Sequence, residues 1–207
     1  MRGKEEAMRS FVNGGGAYLN VDMSDVQRTI DLMRGILTRE QFERLMYRTF
    51  GEAGKKSKTL IAREVVQDYA VTKAWVRSGI GKYELTFGGA YPVTCKIPLS
   101  SHKGSIGGRF AATGGRRGAR IKAKIVRGGA SILPEVMKNQ GGNPPFMGKG
   151  IAFTRRTQNR LPIVKVVGLG VPQMPLNRSS DDVQDSLLQF IGNRLEHNFW
   201  FMFGRGG

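Results

Sequence analysis

The spacing of apolar residues changes period twice along this chain, and those two changes limit the folds open to it. Up to about residue 80 apolar side chains recur every three or four positions; from Gly81 they alternate; from Ser180 the helical spacing returns. Helices, then strands, then one more helix is the pattern of an α+β domain. The expected architecture is a curved antiparallel sheet or sandwich with the N-terminal helices and a C-terminal helix packed on one side. A chain of 207 residues fits one such domain with elaborations. Residues 1–22 read as a loose, flexible extension, because Gly14, Gly15 and Gly16 have no cap or periodic apolar face around them. The single domain then spans 23–207, helical over 23–80, strands and basic glycine-rich loops over 81–175, and a terminal helix over 179–204.

Local signals place the elements. Ser24 caps a short helix with Val26, Ile30 and Met33 on one face and Gly35 at its end. Thr38 and Gln41 have capping-box spacing, and Phe42, Leu45, Met46, Thr49, Phe50 and Ala53 follow on one helix face. Gly51, Gly54 and the run Lys55, Lys56, Ser57, Lys58 are expected to bend or break that helix before Ile61, Val65 and Tyr69 resume it. Thr72 caps another turn that Gly79 ends. Strand alternation appears at Tyr83, Leu85 and Phe87, at Val93, Cys95, Ile97 and Leu99, and at Ile121, Ala123 and Ile125 with Lys122 and Lys124 between them. Residues 151–157 and 161–167 flank Gln158, Asn159 and Arg160 as a hairpin. The glycines from Gly104 to Gly118, and Gly141, Gly142, Pro144 and Pro145, read as mobile loops. Asp181 and Asp182 suit the start of the last helix, whose buried face runs through Val183, Leu187, Phe190, Ile191, Leu195 and Phe199.

Charge is distributed as unevenly as period. The chain has 33 Lys and Arg against 16 acids, a formal +17. Between Leu85 and Ser180 there are 16 basic residues and one acid, Glu135, so that segment carries +15. Such an excess attracts polyanions or acidic protein faces. The candidate contact residues are Arg109, Arg116, Arg117, Arg120, Lys122, Lys124 and Arg127, with Arg155, Arg156 and Arg160 on the later hairpin. They suit a phosphate backbone held by charge and counterion release, without sequence readout. Aromatic residues are sparse in this stretch, which argues against a stacking platform for single strands.

Reactive chemistry finds little support. The lone Cys95 cannot form an internal disulfide or a multi-thiolate metal site, and it alternates with Val93 and Ile97 as a buried structural thiol would. A single cysteine is what a reducing, cytoplasm-like compartment leaves. His102 and His197 have no ligand spacing to each other or to Cys95, so no metal is expected. No Gly-x-Ser-x-Gly elbow is present, and Asn143 stands where a phosphate loop ending in Gly148-Lys149 needs glycine. No catalytic residue and no cofactor is therefore assigned. No apolar run reaches bilayer-spanning length, so no membrane is expected.

Large apolar groups point either to core contacts within the chain or to an apolar interface between subunits. Phe199, Trp200, Phe201, Met202 and Phe203 ring the end of the last helix, more than one core-facing stripe needs. Phe146 and Met147, after the double proline, read as a loop anchor or as part of the same apolar interface.

One segment resembles a known family. Leu161-Pro162-Ile163 with Val167-Gly168, then Val171-Pro172-Gln173-Met174 before a terminal helix, resembles the closing signature of the lambda-type phage minor tail protein Z family, the tail-completion proteins. The order of the remaining features, from about Asp22 to Gly204, is similar. The resemblance implies a non-enzymatic virion protein, assembled in the host cytoplasm, that closes the head-proximal end of a long tail. Its implied partners are further copies of itself in a ring, expected to be sixfold, the tail terminator, the head connector and the genomic DNA end. The proline-rich segment transfers as an architectural element, with Pro172 and Met174 among the expected subunit contacts. The alternative reading is a stand-alone nucleic-acid-binding protein whose basic surface acts without sequence preference.

Overall fold

A computed structural model of the chain describes residues 17–20, 24–86, 94–100, 103–114, 120–132, 144–157 and 159–204. Among the described residues there are four α-helices: α1 (Ser24–Ile36), α2 (Arg39–Asp68), α3 (Lys73–Ser78) and α4 (Ser180–Phe203). The capping box that opens α2 is present in both directions. The Gln41 backbone N–H donates to Thr38 Oγ1 at 3.3 Å, and the Thr38 N–H donates to Gln41 Oε1 at 3.0 Å. Thr72 caps α3 by accepting from the Trp75 N–H, and Gly79 closes that helix.

The interruption expected at Gly51 and Gly54 does not occur, and α2 runs unbroken for 30 residues, about 45 Å. Gly54 is there for contact: a Cβ at this position would drive into the ring of Tyr83. Gly35 likewise sits inside the last turn of α1, which ends one residue later. Phe42, Leu45, Met46, Thr49, Phe50 and Ala53 are all buried, as their spacing requires.

α4 lies antiparallel to α2, since Asn198 meets Thr49, Arg194 meets Glu52, Ser186 meets Glu64 and Ser179 meets Asp68. Its buried row is Val183, Leu187, Ile191, Leu195 and Asn198. α1 covers the pair through Ile30, with Val26 and Met33 half-buried beside it.

Among the described residues the strands pair antiparallel, in keeping with an α+β class, but divide among four small sheets. β1 (Ala17–Asn20), β3 (Thr94–Leu99) and β2 (Glu84–Thr86) form one in that order. The expected extension over 1–22 is thus corrected at residues 17–20, where Leu19 is fully buried opposite Ile97; the rest of it lies outside the described residues. β5 (Ala111–Thr113), β6 (Lys122–Lys124) and β7 (Ser131–Ile132) form the second, and β8 (Phe146–Gly148), β9 (Ile151–Arg155) and β10 (Ile163–Lys165) the third. β11 (Val167–Gly170) pairs with β4 (Lys103–Ser105). The β9–β10 hairpin expected around Gln158–Arg160 is present, Ile163 facing Arg155. Cys95 lies on β3 in register with Leu85.

The Gly104–Gly108 stretch, expected to be mobile, is packed structure. Gly107 turns at φ +87 where a side chain would meet the Gly150 carbonyl, and its N–H donates to the Phe110 carbonyl. Phe110 is fully buried, edge-on to Trp75 at 5.9 Å, so this turn is seated on the helical core. Further ties run from the Ala70 N–H to the Ile125 carbonyl and from the Arg127 N–H to the Asp68 carbonyl, clipping the end of α2 to β6 and the turn after it.

Helix propensity alone says that Gly→Ala at an interior helical site gains up to about 1 kcal/mol. Gly51→Ala, whose Cβ would find only the Tyr83 hydroxyl at an ordinary 3.6 Å, should follow that rule. Gly54→Ala should reverse it and lose about 1–2 kcal/mol by overpacking, read as opposite shifts in denaturation midpoint.

Candidate functional site

The basic residues sit on strand faces for a simple reason. Ile121 and Ala123 alternate with Lys122 and Lys124, so burying the first pair in the core turns the second pair outward. Lys122 stands opposite Thr113 on β5 and Ile132 on β7; Lys124 stands opposite Ala111. Arg120, just before β6, and Arg127, in the turn after it, are also exposed, and Arg109 projects from the turn that Gly107 makes. Five of the expected contact residues therefore lie on or beside β5 and β6 of the second sheet. Arg116 and Arg117 lie outside the described residues.

A second group forms on the third sheet. Arg155 ends β9, and Arg156 and Arg160 lie in the link to β10, all exposed. The register adds Lys165 on β10, directly opposite Phe153, a cation the sequence reading did not single out. Its signal was present, because Ile163 and Lys165 share one face of a strand of the expected hairpin. What looked like one basic stripe is thus carried on two sheets. No acidic residue occurs between Pro144 and Lys165.

The helical half handles its charge differently. Arg39 pairs with Glu43, Arg48 and Arg194 with Glu52, and Arg63 with Glu64. An open hollow of about 340 Å³ is lined by Glu52, Lys55, Lys56, Phe190 and Arg194, and Arg194 is held there by Glu52 and by the face of Phe190 at 5.5 Å. Among the described residues there is no group of three or more His, Cys, Asp and Glu side chains placed to hold a metal ion. No helix among them is long and apolar enough to cross a membrane.

The expected apolar interface divides in two. Trp200 is 60% exposed and Phe201 49%, so both present large surfaces to solvent at the end of α4. Arg48 lies over the Phe201 ring at 4.4 Å, and Tyr47, Leu32 and Ile36 are exposed on α2 and α1. Phe199 and Phe203, in contrast, are half-buried against the chain's own core. Pro172 and Met174 are corrected outright: both are buried, Met174 completely, in the 3-10 turn Val171–Gln173 and just after it. Gln173 fastens that turn by accepting from the Gly170 N–H at 2.8 Å. These two residues build the fold and leave no area for a neighbour. Phe146 and Met147 are likewise on a strand, β8, with Met147 facing the core and Phe146 facing out.

No family model, no curated protein and no solved structure matches the chain.

Core and surface roles separate by denaturation. Met174→Ala should cost about 2–5 kcal/mol, the usual result of emptying a buried site. Trp200→Ser should shift unfolding of the isolated chain by less than about 1 kcal/mol. Guanidinium melts with unchanged slopes are the measurement.

Proposed function

We propose that this chain is a structural, non-catalytic protein that holds a polyanion on the outer faces of its strands while its helices and apolar helix end pack against neighbours. The observation that carries the reading is the segregation of charge. The segment from Leu85 to Ser180 has 16 cations to one acid, whereas the rest has 17 to 15 and forms ion pairs on its helices. Sheet-borne cations with so few carboxylates nearby suit a phosphate backbone.

In its more specific form the proposal is a phage tail-completion protein at the head-proximal end, forming a ring at the head–tail junction. The resemblance of Leu161–Met174 to that family supports it. Exposed Trp200 and Phe201 supply an apolar edge that a ring neighbour would cover. Six copies at +17 would bring together 6 × 17, or +102, so bound DNA or an acidic ring is needed to offset the repulsion. The second reading, a stand-alone nucleic-acid-binding protein, is favoured by the exposure of the same cations on a single chain.

Two measurements test these readings. Duplex DNA affinity should fall steeply with salt, and replacing Lys122, Lys124, Arg155 and Arg160 by alanine should flatten that slope by about 0.9 for each phosphate that is no longer neutralised. An unchanged slope would sink the polyanion reading. Light scattering and electron microscopy of the chain with DNA or purified tails should show rings, which the Trp200→Ser, Phe201→Ser double variant should fail to form. Steep DNA binding by a chain that stays monomeric and is absent from tails selects the stand-alone protein.

A further inference from the structure

The strand register gathers two aromatic rings that sequence position keeps apart. Lys149 and Gly150, both at positive φ, make the two-residue turn between β8 and β9. That turn pairs Met147 with Ala152 and Phe146 with Phe153. Because strand side chains alternate, the sheet has two distinct faces. Ala152 and Thr154 are buried and Met147 packs on the core, so this face points inward. Phe146, Phe153 and Lys165 form one row across the other face, with Arg155 and Ile163 as the next row. The two phenyl rings lie 6.1 Å apart at an interplanar angle of 27°, half-exposed and outside the core cluster. The Arg155 guanidinium lies over the Phe146 ring at 5.2 Å.

We infer that this outer face of the β8–β9–β10 sheet is a stacking platform for an unpaired nucleic-acid strand. A base of any kind can stack on the exposed part of such an aromatic pair, and a guanidinium over a ring extends the stack by the same attraction. Lys165 stands in the same row as the rings and Arg155 in the next, and the whole segment from Pro144 to Lys165 contains no carboxylate to compete for them. An apolar partner would fit the two rings but would leave these cations unanswered. A strand with stacked bases and outward phosphates satisfies both. The expectation that sparse aromatics exclude such a platform is therefore reversed: two rings suffice when the register places them side by side.

This inference rests on the proposal that the strand half holds a polyanion, and the test separates the two. Three fluorescein-labelled probes are compared by anisotropy with the full chain: a 20-nucleotide oligo-dT, a 20-nucleotide abasic strand with the same phosphates, and a 20-base-pair duplex. The oligo-dT should bind about ten-fold more tightly than the abasic strand, a difference due to bases alone. The Phe146→Leu, Phe153→Leu double variant should abolish that difference and leave duplex binding unchanged. Equal affinity for oligo-dT and abasic strand in the unaltered chain overturns the platform while duplex binding upholds the broader reading; binding to none of the three overturns both. Concentration-dependent dimerisation that the double variant removes would assign the face to a second copy and also overturn the platform. Should the variant fail to fold by circular dichroism, the comparison of oligo-dT with the abasic strand still decides.

Discussion

The register between α2 and α4 fixes the position of everything else, and it is set by polar groups inside an apolar seam. Glu64 is almost fully buried, and a buried carboxylate is tolerated only when its oxygens are satisfied. Here Arg63 and Gln67 come from its own helix, but Ser186, donating at 2.8 Å, comes from α4. One turn away Asp68 accepts from buried Ser179, and at the far end Asn198 donates to buried Thr49. Leucine, valine and isoleucine rows alone would allow the helices to slide by a turn. A slide here would strand Glu64, Asp68 and Thr49 without their partners, so the hydrogen bonds choose one alignment out of several that hydrophobic burial would accept.

That alignment carries outward into the strands. Fixing Asp68 fixes the backbone carbonyl that receives the Arg127 N–H, and fixing Ala70 fixes the donor to the Ile125 carbonyl. The C-terminal end of β6 is thereby referred to the helical seam. On the other side Trp75 meets Phe110 edge-on, and the Ile106 N–H reaches the Val166 carbonyl while the Ala152 N–H reaches the Ile106 carbonyl. The β9 strand and its outward row of side chains therefore hang from the same core through a chain of backbone bonds.

What could be read in advance follows the range of the forces involved. Caps at Thr38 and Thr72, and the buried stripe of α4, depend on residues three or four positions away, and they appeared as expected except that Phe190 and Phe199 are only half-buried and Asn198 joins the row. Gly54 was misread because its reason is Tyr83, 29 positions on, whose ring fills the space a side chain would need. Leu19 was missed because its partner Ile97 is 78 positions away and four residues are too few to show a period. At the site, exposure of Lys122 and Lys124 was legible from alternation, whereas the pairing of Phe146 with Phe153 was hidden by a Lys-Gly turn that carries none of the usual asparagine or aspartate signals. Met174 failed as an interface residue for the opposite reason: apolar character is the same whether the covering surface is another subunit or the chain itself.

Placing the cations on strands rather than helices has an energetic consequence that ties function to fold. Helical residues three and four apart can neutralise each other, as Arg39 and Glu43 do. Outward strand positions have cross-strand neighbours instead, and those opposite Lys122 and Lys124 are Thr113, Ile132 and Ala111, none of which bears charge. The repulsion between Lys122 and Lys124 is therefore not relieved by the residues paired with them across β5 and β7, and it opposes the folded state. A ligand that binds the native chain and supplies the missing negative charge stabilises it by mass action. Binding surface and stability are then one electrostatic problem: the strand half is folded by its inward residues and completed by whatever anion meets its outward ones.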